Sequence, residues 1–224
     1  MRSVKFKRIS ILLVAFVTGA CHANNDFKGG RVRVGSYWSN GLPTAANPGT
    51  LAKDGIITEG DVTDLVVTQT GGTVTAYENQ GIRELQNTSW TLQGGLFQRT
   101  KGLRLGSGSA APTYFHVAGG TLVLAVPGHN LIVDGGDSRL RITGGLATVA
   151  GNLQIDATAG HDNSPVLEFG LGEGAAIFRG LQFDAAGYIN FETGSRGILR
   201  LTHGVITGSD LNPETDTFEE LWSA

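Results

Sequence analysis

Short runs of alternating apolar and polar residues recur along most of the chain. In one of them, Trp90 and Leu92 flank the polar Thr91, and a glycine pair follows. The same apolar–polar–apolar triplet recurs at 115–117, 140–142, 167–169 and 189–191. A period of two is typical of a β-strand with one buried face, so each triplet predicts a short strand that ends in a turn.

The glycines place these strands in a regular register. Glycine pairs occur at 71–72, 94–95, 119–120 and 144–145, in steps of 23, 25 and 25 residues. Continuing the step predicts turns near 170 and 195, where the chain has Gly170, Gly172 and Gly194. A second strand follows each turn, and a third strand begins about ten residues later, at Leu103, Leu131, Leu153 and Leu181.

Three short strands in about 25 residues correspond to one coil of a parallel β-helix. The less favoured alternative is an antiparallel β-sandwich, whose hairpins require no fixed register. Stacking the coils predicts an interior ladder of Trp90, Phe115, Leu140, Leu167 and Ile189. It also predicts an exterior ladder of Thr91, His116, Arg141, Glu168 and Asn190. Arg141 and Glu168 would then be neighbours in an exposed ion pair that contributes about 0.5 kcal/mol.

The limits of the repeat divide the chain into four predicted segments. Residues 1–23 form a leader, 24–60 an N-terminal cap region, 61–208 the β-helix repeats, and 209–224 a C-terminal cap or the start of a missing segment. Cap packing is favoured for Tyr37 and Trp38 over a sugar-binding platform. Gln69 occupies the place of Leu92 in its coil, as expected of a terminal repeat that faces water.

The leader has the pattern of a cleaved secretory signal. Arg2, Lys5, Lys7 and Arg8 precede a short apolar run, and small residues lead to Ala23, the expected cleavage site. A lipid anchor at Cys21 is the less favoured alternative. We therefore expect secretion or a cell-surface location, with no transmembrane span after cleavage. The remainder would carry 13 basic and 20 acidic residues, which excludes nucleic acid and anionic membranes as favoured partners.

Three aspartates are the strongest candidates for chemistry. Asp134, Asp156 and Asp184 each follow the third strand of a coil. Stacked on one edge, their carboxylates could bind Ca²⁺ or act on a polysaccharide. The favoured interpretation is that they form turns by bonding their own backbone. The histidines lack metal-ligand spacing, and the glycine-rich run at 170–174 lacks the helix that dinucleotide binding needs, so we predict no catalytic residue and no cofactor.

Several segments suggest a family. The opening Trp38-Ser-Asn-Gly-Leu-Pro43, the Gly-Gly-Thr turns, the run at 188–201 and the closing Phe218-Glu-Glu-Leu-Trp222 resemble secreted bacterial repeat proteins of the autotransporter-associated and PEP-CTERM type. The resemblance implies a right-handed parallel β-helix of the pectate-lyase-like superfold at the cell surface, often with no known activity. The chain departs from it in lacking a closing Pro-Glu-Pro signal, which favours an incomplete chain.

We therefore expect a non-catalytic structural or adhesive β-helix. A carbohydrate-active lyase or hydrolase that uses the aspartates is one alternative, and a carbohydrate-binding surface module is another. The expected partners are extracellular polysaccharide or other surface proteins. A fold does not determine a function, so the side chains on the lateral faces of the solenoid are needed to distinguish these alternatives.

Overall fold

The fold is a solenoid of short parallel strands. The computed structural model describes residues 24–58, 60–77, 83–106, 112–135, 137–156, 165–183, 187–203 and 206–208. Within these residues, three parallel sheets run along the solenoid and coils of about 24 residues connect them. The leader at 1–23 and the segment at 209–224 lie outside the described residues, so the predictions made for them stay predictions.

The first sheet contains the strands that precede the glycine turns. Within the described residues its spatial order follows the chain: β1 (Asn25–Asp26), β3 (Gly49–Leu51), β6 (Val66–Gln69), β9 (Ser89–Leu92), β12 (Tyr114–Val117), β15 (Arg139–Ile142), β18 (Val166–Phe169) and β21 (Tyr188–Phe191). Each strand is the first of its coil, and the alternating triplets predict this for β9, β12, β15, β18 and β21.

The second sheet follows each glycine turn. Its described strands are β2 (Gly30–Arg31), β4 (Gly55–Ile57), β7 (Thr73–Ala76), β10 (Leu96–Arg99), β13 (Thr121–Leu124), β16 (Leu146–Val149), β19 (Ala175–Phe178) and β22 (Ile198–Leu201). The third sheet contains β5 (Val62–Thr63), β8 (Arg83–Gln86), β11 (Leu103–Leu105), β14 (Leu131–Asp134), β17 (Leu153–Asp156), β20 (Leu181–Phe183) and β23 (Ile206–Gly208). A short 3₁₀ helix spans Gly35–Tyr37.

The strand pairing confirms the predicted β-helix. In the first sheet, Trp90 pairs with Phe115, Phe115 with Leu140, Leu140 with Leu167 and Leu167 with Ile189. The exterior ladder from Thr91 to Asn190 has the same register. The strand pairs described within the three sheets are parallel, so the antiparallel sandwich is wrong. Parallel pairing requires a crossover between paired strands, and each coil supplies it with its other two strands.

Alternation along each strand builds one continuous core. In β9, Trp90 and Leu92 are buried while Ser89 and Thr91 are only partly exposed, and most strands of the first two sheets repeat this pattern. The inward side chains of all three sheets form a single apolar cluster from Phe27 to Leu181. Because neighbouring rungs are about 4.8 Å apart, each inward side chain contacts its equivalents in the coils before and after it.

Coil length varies at the connections between the sheets. The turn from the first to the second sheet has three residues in the coils that carry β6, β9, β12 and β15. The connection from the second to the third sheet has three residues between β10 and β11 but six between β13 and β14, and the connection from the third sheet back to the first has two residues between β8 and β9 but nine between β17 and β18. Insertions therefore occur where they leave the strand register intact.

The solenoid pattern already includes strands in the segment predicted as an N-terminal cap region. Residues 24–60 contain β1 to β4, which pair within the first two sheets. Trp38 is buried, donates its indole N–H to the Val32 carbonyl at 2.8 Å and packs on Phe27. Packing is therefore the role that the structure shows for Trp38, while its neighbour Tyr37 remains partly exposed.

The larger polar side chains buried in the described core include Gln69 and Arg99. Gln69 pairs with Leu92 as predicted, but it is fully buried, so the expectation that it faces water is wrong. Its amide nitrogen donates to the Leu96 carbonyl at 3.0 Å, and its oxygen accepts the Trp90 indole N–H at 3.2 Å. Arg99 is also buried and donates to the Gly102 carbonyl at 2.6 Å. These hydrogen bonds offset part of the cost of burying the two side chains.

No helix in the described part of the chain combines the length and the apolar character that crossing a membrane requires.

Candidate functional site

Two of the three predicted aspartates, Asp134 and Asp156, end strands of the third sheet. Asp134 and Asp156 pair on neighbouring rungs, as the repeat predicts. Asp134 is only 4% exposed, and one carboxylate oxygen lies 3.6 Å from Nε of Arg104. Asp184 and the side chain of Asp156 lie outside the described residues. Among the residues described, no three His, Cys, Asp or Glu side chains cluster closely enough to hold a metal ion.

The outward side of the first sheet carries a different set of functional side chains. Strand alternation and register place its outward residues in two rows parallel to the solenoid axis. We call these two rows the outer face. One row is Ser89, Tyr114, Arg139, Val166 and Tyr188, and the other is Thr91, His116, Arg141, Glu168 and Asn190.

A chain of ion pairs crosses the middle of the outer face. One oxygen of Glu168 lies 3.2 Å from a guanidinium nitrogen of Arg139 and 3.3 Å from one of Arg141. Arg141 also contacts Glu192 at 3.0 Å, and the same Glu192 oxygen accepts the backbone N–H of Leu171 at 2.9 Å. Charge-assisted bonds of this kind fix the orientation of both guanidinium groups.

Burial of Glu168 corrects one prediction. The neighbouring positions of Arg141 and Glu168 are confirmed, but the pair is not fully exposed, because Glu168 is only 6% exposed. Both arginine side chains are about one-third exposed. The carboxylate therefore sits below the surface, and the guanidinium groups keep part of their area in contact with solvent.

Replacing Glu168 should destabilise the fold more than replacing a surface glutamate. In Glu168→Gln, Arg139 and Arg141 lose a charged partner, and we expect the free energy of unfolding to fall by about 1–2 kcal/mol. The value is below that of a fully buried pair because solvent screens the two arginines. Urea denaturation at neutral pH measures the change.

The matched control for Glu168 is Glu173, which contacts Arg196 at 2.8 Å while both side chains are largely exposed. Glu173→Gln should change stability by less than about 0.5 kcal/mol. Equal losses in the two variants would contradict a structural role for Glu168.

His116 lies beside this chain of ion pairs. Its Nε2 is 2.7 Å from the hydroxyl oxygen of Thr143. Partial burial lowers the pKa of His116, the nearby Arg141 lowers the same pKa further, and Glu168 opposes them. The neutral imidazole is therefore favoured in the folded protein at neutral pH.

The lowered pKa of His116 predicts a pH dependence of stability. The unfolded chain, whose histidine has the usual pKa of about 6.5, binds the proton more readily than the folded chain. Stability due to the neutral imidazole is complete above about pH 6.5 and is lost as the pH falls from there through the lower folded pKa. When the pH is lowered from 7.5 to 5.5, the free energy of unfolding of His116→Gln should therefore fall by less than that of the unmodified chain.

Urea denaturation at these two pH values measures this difference, with the exposed His203→Gln as the matched control. An equal fall in the His116→Gln variant and the unmodified chain would show that His116 does not carry the effect.

Two exposed aromatic side chains complete the outer face. Tyr114 and Tyr188 are 41% and 46% exposed, and each is the first residue of its strand. Sequence reasoning did not identify these tyrosines, Arg139 or Glu192 as candidates. The signal available in the sequence was their position, because Tyr114, Arg139 and Tyr188 each stand one residue before an alternating triplet.

The glycine-rich run forms a turn between two strands. It connects β18 to β19, so a strand, not a helix, follows Gly174. The prediction that this run lacks the helix N-terminus needed for a pyrophosphate is confirmed.

Comparison with known proteins finds no matching family model, curated protein or solved structure.

Proposed function

We propose that this protein is an exported, non-catalytic β-solenoid that serves as a structural or adhesive element at the cell surface. Export is supported by the basic and apolar pattern of residues 1–23. The adhesive role is supported by an outer face that combines exposed aromatic side chains with ordered polar groups. The resemblance to autotransporter-associated and PEP-CTERM repeat proteins points in the same direction.

One observation carries the non-catalytic part of the proposal. On the outer face, Glu168 contacts two arginines at 3.2 and 3.3 Å, and Glu192 contacts Arg141 at 3.0 Å. A general acid or base must exchange a proton with a bound substrate, whereas these carboxylates are engaged by permanent cations and a backbone N–H. The arrangement fits a surface whose charged groups are held in place better than it fits a proton-transfer site.

A carbohydrate-active enzyme is the second candidate. It is favoured by the pairing of Asp134 with Asp156 on adjacent rungs, since paired carboxylates are the usual equipment of glycoside cleavage. The contact of Asp134 with Arg104 and its burial weigh against it, because a catalytic carboxylate has to reach the scissile bond.

Turnover assays separate the two candidates. The full chain is exported from a bacterial host, purified and incubated with neutral and acidic polysaccharides, and new reducing ends and unsaturated products are measured. We expect no turnover. Cleavage of any polysaccharide that is abolished by Asp156→Asn would overturn the proposal in favour of the enzyme.

Mass spectrometry of the exported N-terminus tests the location. A mature chain that begins at Asn24 supports simple cleavage after Ala23, and a lipidated Cys21 supports a surface anchor. Recovery of an uncleaved chain from the cytoplasm would contradict export.

A further inference from the structure

The two exposed tyrosines of the outer face lie in one row. The strand register pairs Tyr114 with Arg139, Arg139 with Val166 and Val166 with Tyr188. Tyr114 and Tyr188 are therefore three rungs apart, which is about 14 Å at the usual separation of strands. The row runs parallel to the solenoid axis, so an extended molecule that touches both rings must lie along that axis.

Between the tyrosines the row contains Arg139 and the buried Val166, which is 2% exposed, and the polar groups there are already oriented. Arg139 and Arg141 are held by Glu168, and Arg141 is also held by Glu192, at distances from 3.0 to 3.3 Å. Each arginine side chain remains about one-third exposed to solvent. Donors that are fixed before binding lose less conformational entropy when a ligand arrives.

The charges on and beside the outer face are balanced. Arg139 and Arg141 are offset by Glu168 in the outer face and by Glu192 beside it, so these four side chains carry no net charge. The chain after cleavage carries more acidic than basic residues, which disfavours a polyanion over the whole surface. Charge complementarity therefore favours an uncharged ligand that is rich in hydrogen-bonding groups.

We propose that the outer face binds a neutral polysaccharide that lies along the solenoid axis, with Tyr114 and Tyr188 stacked on sugar rings at either end. Between them, Arg139 and Arg141 donate hydrogen bonds to hydroxyl groups. A sugar ring presents an apolar face of C–H bonds and a polar edge of hydroxyls, which matches an aromatic ring beside ordered donors. This inference rests on the proposed adhesive function and names its ligand class.

The area of the outer face between the two tyrosines favours a glycan over a protein partner. Three rungs and two rows cover an area about 14 Å long and about 7 Å between rows, from the standard strand dimensions. A stable protein–protein interface requires about 800 Å² on each partner, several times this area. A single extended polysaccharide chain needs no more width than the two rows supply.

Affinity electrophoresis tests the proposal. The full chain migrates through native gels that contain hydroxyethyl cellulose, dextran, mannan or polygalacturonate, and retardation gives the dissociation constant. We expect retardation in at least one neutral gel. Tyr114→Ala and Tyr188→Ala should each weaken that binding by about 2- to 10-fold, as expected for loss of one aromatic stacking contact. The double variant should migrate as it does without polysaccharide.

Three further variants show whether the effect belongs to this row. Tyr77→Ala is the matched control, because Tyr77 is 53% exposed but follows a strand of the second sheet. It should leave retardation unchanged. Tyr114→Phe and Tyr188→Phe should retain binding because they keep the stacking ring. Circular dichroism checks that each variant keeps the β-sheet signal of the unmodified chain.

The length of the ligand provides an independent test. Oligosaccharides long enough to reach both tyrosines should compete with the polysaccharide, and a disaccharide should not. No retardation in any neutral gel, retardation by polygalacturonate alone, or equal loss in Tyr77→Ala would overturn the inference.

The outcomes also separate this inference from the proposed function. If the exported chain attaches to cells but no neutral gel retards it, the inference fails and the adhesive role stands. If the chain binds neutral polysaccharide and cleaves it, the binding site stands and the non-catalytic role fails.

Discussion

Replacing Phe115 with alanine should lower the free energy of unfolding by about 3–5 kcal/mol, the range for removing a buried aromatic side chain. Phe115 is fully buried in the interior ladder. Its ring stacks on Trp90 with 6.5 Å between centroids and meets the edge of Phe97 at 5.3 Å. Alanine would leave a cavity that two adjacent coils line, and parallel strands held on both sides cannot collapse into it freely.

Chemical denaturation followed by circular dichroism measures this loss. Tyr114→Ala is the matched control, because Tyr114 is the preceding residue of the same strand and points outward. The control should change stability by less than about 0.5 kcal/mol, as is usual at the surface. Equal losses would mean that β12 is out of register by one residue, since such a slip exchanges the two faces of a strand.

Replacing Gly145 with alanine should lower the free energy of unfolding by about 2–4 kcal/mol. Gly145 closes the turn after β15 with φ of +67°, a left-handed conformation that costs an alanine about 1–2 kcal/mol. A β-carbon there would also overlap the carbonyl oxygen of Gly120, the equivalent glycine one coil earlier. The turns stack on one another as closely as the strands do, so neither backbone can move away alone.

Gly128→Ala separates the two contributions. Gly128 has φ of +81° but nothing within 4 Å of an added β-carbon. The variant should therefore show the conformational cost alone, about 1–2 kcal/mol. Thermal or urea denaturation of both variants gives the comparison. A loss at Gly145 no larger than that at Gly128 would contradict close stacking of the glycine turns.

The repeat could be predicted because two local signals agree in the coils that begin with β9, β12, β15, β18 and β21. Alternation identifies which side of each strand is buried, and the glycine turns set the distance between equivalent strands. The sequence alone therefore aligns Trp90, Phe115, Leu140, Leu167 and Ile189, and these residues do pair in that order. The antiparallel alternative was weaker because hairpins do not require such a register.

Burial of polar groups could not be predicted in the same way. Gln69 was expected to face water, yet it lies in the core because its amide can bond the Leu96 carbonyl and the Trp90 indole. Glu168 was expected at the surface, yet it is shielded by arginines of the preceding coil. In both cases the deciding partner is more than 20 residues away in sequence, where a local pattern carries no information.

The candidate site was also only partly predictable from the sequence. The aspartates drew attention because each follows a strand, and the pairing of Asp134 with Asp156 bears out their predicted alignment. One row of the outer face was predicted as the exterior ladder, but the other row was not, because Tyr114, Arg139 and Tyr188 are ordinary residues when each is considered in its own coil. Only stacking places them in one row and adds Glu192, which is 51 residues from its partner Arg141.

The sequence by itself determined the three-strand coil, its register and the residues that face inward, because strand alternation and glycine turns are local properties. The tertiary structure decided which outward side chains meet, which of them are shielded from water and which remain exposed. Those outcomes depend on side chains one or two coils away, brought together at the spacing of neighbouring strands. The function proposed here depends on that second group of facts.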